Sequence, residues 1–64
     1  MGYEEKIIVA LTKKGELSLE EIVRELQINH HLVEKILAEM LDKDKIELVQ
    51  KSRGNYYKLV EVKK

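Results

Sequence analysis

The fold is decided by residues 18–59, which read SLEEIVRELQINHHLVEKILAEMLDKDKIELVQKSRGNYYKL. Ser18 and Glu21 form a capping box, because the hydroxyl can accept a first-turn amide while the carboxylate reaches back to the amide of Ser18. Behind this cap, four apolar residues recur at the spacing that lines one helical face: Leu19, Ile22, Val23 and Leu26. These signals predict a short amphipathic helix that begins directly after Ser18.

A second amphipathic helix follows almost at once. Asn29 is a favourable N-cap, and the residues after it repeat one apolar face made of Leu32, Val33, Ile36, Leu37, Met40 and Leu41. Only Gln27 and Ile28 separate the two helical patterns. So short a connection forces the helices to cross at a steep angle, with Ile28 in the corner between them.

A two-stranded ribbon is predicted after the second helix. Residues 42–45 form a polar turn, and residues 46–51 and 55–62 read as strands joined by residues 52–54. Glycine and asparagine at positions 54 and 55 tolerate positive φ, so a tight hairpin or a bulged loop is expected. We expect the side chains that face the helices to be Ile46, Leu48, Tyr57 and Leu59, and those on the opposite face to be Val60 and Val62.

The residues before this stretch predict a scaffold helix and a very short strand. Residues 3–14 place Ile7, Ile8 and Leu11 over one another, and Gly15 is a C-terminal stop. Residues 16–18 can add a strand to the ribbon. The sequence therefore predicts an α+β winged helix-turn-helix: three helices plus a two- or three-stranded antiparallel wing sheet, in one domain over residues 1–64.

The chain resembles the winged helix-turn-helix superfamily of small prokaryotic transcription regulators. The resemblance covers nearly all of the chain and rests on residues 17–29, 32–41, 45–48 and 56–59. Leu32-Val33-Glu34 followed by Ile36-Leu37 is similar to the FeoC-like group of stand-alone winged helices. That group often has a cysteine cluster in its wing, whereas this wing reads KSRGN over residues 51–55, so an iron–sulfur role is not indicated. Glutamine at position 27 stands where these proteins commonly have glycine.

Length and composition indicate one small domain with one core and no deep pocket. A chain of 64 residues can bury only about 60% of its unfolded surface. There is no cysteine for a disulfide or a thiolate metal site. No apolar run approaches the roughly 18 residues of a membrane span, so we predict a cytoplasmic protein without a targeting segment. A charged fraction of 38% without proline leans toward a thermophilic archaeal or bacterial source.

The net charge is zero, but the charges are unevenly distributed. Residues 1–28 carry six acids and four bases, and residues 29–44 carry four acids and two bases. Residues 45–64 carry two acids and six bases. The ribbon and tail are therefore the positive part of the chain, as expected for a wing that faces a polyanion.

The resemblance implies that the second motif helix, about residues 29–43, enters the major groove of double-stranded DNA. The basic wing, about residues 51–58, would then lie on the backbone or in the minor groove. By position, the residues that probe the bases would be His30, His31, Glu34 and Lys35. Histidine and lysine can donate to phosphate or to guanine, whereas Glu34 needs a cytosine amine. The alternative is a solvated, charged helix face without a nucleic-acid role.

The wing carries the clearest functional signal. Five residues of types that bind phosphate gather around its tip: Lys51, Arg53, Asn55, Tyr56 and Lys58. The alternative is a polar hairpin whose charges only discourage aggregation through the strand edge. We favour DNA contact.

Catalysis, metal binding and cofactor binding are not indicated. Adjacent histidines on a helix point about 100° apart, so His30 and His31 are poorly placed to share one metal ion. Ser18 and Ser52 are explained as cap and turn residues, and no glycine-rich phosphate loop or cysteine nucleophile is present. We predict no enzyme activity, no metal and no cofactor.

Two functional hypotheses follow. The first is a DNA-binding transcription regulator that acts as a homodimer through the first helix or the Val60/Val62 strand face, because one module offers little DNA interface. The second is a winged helix that binds a protein partner in a larger complex. Zero net charge, an acidic second motif helix and a half-exposed Leu32 favour the second hypothesis.

Overall fold

The computed structural model describes residues 2–61. The order of elements is α1 (Tyr3–Lys14), β1 (Glu16–Leu17), α2 (Leu19–Leu26), α3 (His30–Asp42), β2 (Ile46–Lys51) and β3 (Gly54–Leu59). Three helices pack against a three-stranded antiparallel sheet that ends in a β2–β3 hairpin, which is the α+β arrangement of a winged helix. The predicted fold class is confirmed.

Both predicted caps of the helix-turn-helix are present. The Glu21 amide donates to Oγ of Ser18 over 3.2 Å, and the Ser18 amide donates to the Glu21 carboxylate over 2.8 Å. Hydrogen bonding to Ser18, its backbone amide first, lowers the pKa of Glu21. At the start of α3, Oδ1 of Asn29 accepts the His31 amide over 2.7 Å. Local side chains therefore set where α2 and α3 begin.

The turn between α2 and α3 is built without glycine. Gln27 takes a left-handed conformation, with φ 54° and ψ 44°, and its amide donates to the Val23 carbonyl over 2.8 Å. This conformation costs a residue with a Cβ about 1 kcal/mol or more. Ile28 is half-buried and packs against the core, as predicted for the corner. The departure from glycine at position 27 therefore leaves the turn in place.

One cluster of buried apolar side chains joins all three helices to the sheet. Its members are Ile7, Ala10, Leu11, Leu17, Ile22, Val33, Ile36, Leu37, Met40 and Ile46. The predicted apolar face of α3 is confirmed for its central residues, whereas Leu32 lies at the margin and is 38% exposed. The core thus fixes one face of α3 and leaves the other toward solvent.

The sheet order is β1-β3-β2, with Leu17 opposite Tyr57 and Tyr57 opposite Leu48. The predicted short strand is therefore confirmed and pairs with the second strand of the wing. Lys51 lies opposite Gly54, so the hairpin loop has two residues where the sequence suggested three. Gly54 has φ 136°, a value that favours glycine.

Two predictions about the ribbon need correction. The second strand ends at Leu59 and does not continue to residue 62; Val60 still donates its amide to the Lys45 carbonyl over 3.2 Å. Val62 lies outside the described residues. Leu48 faces the same side as buried Ile46 but is 41% exposed, because burial along β2 falls from the core toward the tip. The hairpin thus extends past the helices.

Glu4 links α1 to the turn between α3 and β2. Nζ of Lys45 lies 2.8 Å from one carboxylate oxygen, and Nζ of Lys43 lies 3.3 Å from the other. These hydrogen bonds, that of Lys45 first, lower the pKa of Glu4 below the ordinary value of 4.5. The two lysines therefore favour the ionised carboxylate in the folded chain.

The free energy of unfolding should therefore depend on pH through Glu4. A folded-state pKa below the unfolded one stabilises the fold fully above about pH 5, and this stabilisation is lost as pH falls through the folded pKa. In urea titrations between about pH 7 and about pH 3, Glu4→Gln should flatten the pH dependence. Glu39→Gln is the control, since Glu39 forms no ion pair within residues 2–61. Equal flattening by both variants would contradict the assignment.

Candidate nucleic-acid interface

The outer face of α3 carries the four side chains predicted to probe bases. His30, His31, Glu34 and Lys35 are all exposed. They are positioned by the buried residues on the opposite face, among them Val33 and Leu37. Because the apolar face is held in the core, α3 presents its polar face outward over its first two turns.

Within that face, His31 and Glu34 are in contact. Nδ1 of His31 lies 3.4 Å from a Glu34 carboxylate oxygen, and the two side chains are 88% and 50% exposed. The rings of His30 and His31 have centroids 5.8 Å apart. An exposed contact of this kind contributes little to stability. It does place the imidazole of His31 beside the Glu34 carboxylate, which would repel phosphate at this position.

The inner face of the wing borders α3. This inner face consists of the ribbon side chains that share a side with buried Ile46, and Tyr57 lies on it. Burial raises the pKa of Tyr57, and the negative charges of Glu34 and Glu20 raise it further. Buried Ile46 of this inner face belongs to one apolar cluster with Val33 and Leu37 of α3. Helix α3 and the inner wing face therefore lie on the same side of the sheet.

The bases on the outer face of the wing lie beside acidic side chains of the chain itself. Lys51 forms an ion pair with Glu16 of β1, and its Nζ lies 5.5 Å from the centroid of the Tyr56 ring. Lys58 lies between two acidic cross-strand neighbours, Glu16 on β1 and Glu47 on β2. Carboxylates of the chain itself therefore offset much of the predicted positive charge of the wing.

The tip of the wing is different. Arg53 lies in the two-residue loop, is exposed, and has no carboxylate within 4.0 Å among residues 2–61. Asn55 is exposed on the inner face, directly opposite Gln50. The tip thus combines one uncompensated guanidinium with two amide side chains, which are donors and acceptors suited to phosphate and base edges.

The structure separates the predicted site residues into two groups. The α3 residues lie on the side of the inner wing face, which carries Asn55, and the exposed Arg53 lies at the tip. The outer wing face holds Lys51, Tyr56 and Lys58, with Tyr56 and Lys58 half-buried. Sequence reasoning missed Gln50, Glu16 and Glu47. Once the strands are aligned, the alternation of side chains along each strand and the register assign all three residues to a face of the wing.

Neither a metal centre nor a membrane span is found in the part of the chain that the structure describes. Residues 2–61 contain no group of three or more histidine, aspartate or glutamate side chains arranged to hold a metal ion. Within the same residues, no helix combines the length and apolar character needed to cross a bilayer.

Comparison with models of known protein families gives no match for this chain, and no curated protein matches its sequence. The likeness to winged helices therefore rests on the residues and the fold of the chain itself.

Proposed function

We propose that the chain is a DNA-binding module, a small transcription regulator that places α3 in the major groove and its wing tip on the phosphate backbone. The observation that supports this best is that α3, with its exposed polar face, lies on the same side of the sheet as the inner wing face, with Arg53 exposed at the wing tip. A helix and a ribbon on one side match the two grooves and the intervening backbone of a duplex.

The roles of the residues follow from their charges and exposure. His31 and Lys35 lie centrally on the polar face of α3 and would read base edges, with His30 at its N-terminal end. Arg53 would neutralise phosphate. Lys51 would add charge at the tip after exchanging Glu16 for phosphate. Lys58, which lies between two carboxylates, would contribute least.

Replacing the two tip bases should weaken binding to all duplexes alike. For Lys51→Ala combined with Arg53→Ala, the slope of log affinity against log salt should become shallower by about 1.8, because each phosphate contact contributes about 0.9. Fluorescence anisotropy with a random-sequence duplex across a salt series measures this slope. Lys6→Ala combined with Lys13→Ala is the matched control: it removes the same charge from α1 and should leave the slope nearer that of the parent.

A double variant of α3 separates recognition of bases from binding to the phosphate backbone. His31→Ala combined with Lys35→Ala should change which duplex is preferred, at about 1–3 kcal/mol for each lost base contact, and should change random-sequence binding less. If the parent shows no DNA binding even at low salt, DNA binding is ruled out. If the tip variant binds DNA as the parent does across the salt series, the wing tip is not a DNA contact.

The second candidate is binding to a protein partner. Leu32 and Leu48 are exposed by 38% and 41%, and the acids and bases of the chain balance. Both features suit a protein surface better than a phosphate backbone. Absence of DNA binding together with reduced partner binding by Leu32→Ser would favour this candidate.

A further inference from the structure

Strand β2 is an edge strand whose outer side is free. The sheet order β1-β3-β2 leaves one side of β2 without a strand among residues 2–61. Val60 donates to the carbonyl of Lys45, which lies opposite it one step beyond the β2–β3 ladder, and the two-residue hairpin closes at Lys51 and Gly54. Successive residues of an antiparallel strand direct their backbone groups alternately to one side and the other. The bond at Lys45 and the hairpin closure at Lys51 therefore assign the same hydrogen-bonding phase, that is, the same set of β2 residues bonded to β3.

In that phase, Glu47, Val49 and Lys51 direct their backbone groups toward β3. The intervening residues direct theirs outward: Ile46, Leu48 and Gln50. Both Leu48 and Gln50 are exposed, and β2 contains no proline. An edge of this length with free donors and acceptors is a template for another strand.

We propose that β2 pairs antiparallel with β2 of a second copy of this chain, with the two-fold axis between the two Val49 residues. The proposal does not depend on DNA binding and uses a different surface from α1 or the Val60/Val62 strand face. Two copies of β2 can pair through their free edges only when residues whose backbone groups point outward lie opposite residues of the same kind. This condition allows Leu48 opposite Gln50 and excludes Leu48 opposite Val49.

Charge selects one register from those that remain. With Val49 opposite Val49, Glu47 faces Lys51 of the second copy, and the two-fold axis repeats this pair. In the neighbouring allowed register, Leu48 faces Leu48 of the second copy, and Glu47 faces Val49 of that copy. Lys51 is then directed at Lys45 of the second copy. Opposite charges across strands are favourable and like charges are not. The charges of β2 are therefore self-complementary in one alignment.

The same register extends the outer wing face. Val49 and Tyr56 are cross-strand neighbours, both half-buried. Pairing through Val49 would join two such rows into one apolar strip across the joint sheet. On the inner face, Leu48 of each copy would lie diagonal to the other, within reach of a long side chain. The exposed Leu48 thus gains an apolar neighbour.

Sedimentation equilibrium of the parent without DNA should show a monomer–dimer equilibrium between about 10 µM and about 1 mM, since a strand-edge interface is small. Gln50→Pro should give only monomer, because it removes an outward amide that makes no bond to β3. Circular dichroism checks that this variant is folded.

A charge exchange tests the register. In a dimer of either single variant, Glu47→Lys or Lys51→Glu, residues 47 and 51 carry like charges and face each other at two symmetric positions. Each variant should therefore dimerise about tenfold more weakly or worse. An equimolar mixture restores both opposite-charge pairs in a heterodimer and should associate as strongly as the parent. A parent that stays monomeric up to 1 mM overturns the proposal. So does a mixture that associates no better than either variant alone.

Discussion

Leu37→Ala is expected to lower the free energy of unfolding by about 2–5 kcal/mol. Leu37 lies on the buried face of α3 and is only 1% exposed, within the cluster that joins all three helices to the sheet. Truncation removes buried apolar surface and leaves a cavity that a small core cannot fully close. A domain of 64 residues has a total stability of roughly 3–10 kcal/mol, so much of the chain would be unfolded at moderate denaturant.

The matched control is Leu32→Ala, five positions earlier on the same helix. Leu32 is 38% exposed, so the same chemical change should cost only about 0.5 kcal/mol. Urea unfolding followed by circular dichroism gives both values. Similar losses for the two variants would mean that the assigned buried face of α3 is wrong. Since the polar face is defined as the opposite side, the proposed DNA contacts would be wrong as well.

Gly15→Ala is expected to cost about 1–3 kcal/mol, for a purely conformational reason. Gly15 ends α1 with φ 88° and ψ −61°, a combination that a residue with a Cβ rarely adopts. A Cβ at this position would meet no heavy atom of the described residues within 4 Å. The loss would therefore come from backbone strain and not from a steric clash. The turn leads directly into β1, so strain here also disturbs the pairing of Glu16 with Lys51.

Two further variants of this chain test whether backbone strain is the cause of the loss. Gly2→Ala should change stability little, because Gly2 has an ordinary φ of −76° and its Cβ would lie 3.6 Å from the Glu5 carboxylate. Chemical synthesis with D-alanine at position 15 should keep or increase the stability of the parent, since a D-residue favours positive φ. Thermal unfolding compares all three. If D- and L-alanine cost the same, strain is not the cause.

The helices were predictable because their signals are local. The capping box of Ser18 and Glu21, the Asn29 cap and the Gly15 stop each involve residues within a few positions, and each is found in the structure. The period of apolar residues likewise identified the buried face of α3. The exposed positions of the α3 candidates follow from the same period.

The wing candidates were less predictable, because strand partners are set by contacts between distant residues. Lys51 and Glu16 are 35 positions apart, and nothing near either residue indicates that they pair. Which acids lie beside Lys58 depends on the register of both β1 and β2 against β3, and a slip of one residue would place other side chains there. The excess of bases in residues 45–64 therefore overstated the free charge of the wing.

The sequence by itself determined the order of elements, the ends of the helices and the faces of α2 and α3, since capping and helical periodicity act over a few residues. Only the tertiary structure decided that Lys51 is paired with Glu16, that Lys58 lies between two acidic cross-strand neighbours, and that Arg53 has no carboxylate within 4.0 Å among residues 2–61. It also decided that Leu48 lies beyond the reach of the helices and that β2 is the open edge. The physical reason is that charge compensation, burial and edge exposure depend on which distant segments meet, and that depends on packing of the whole chain.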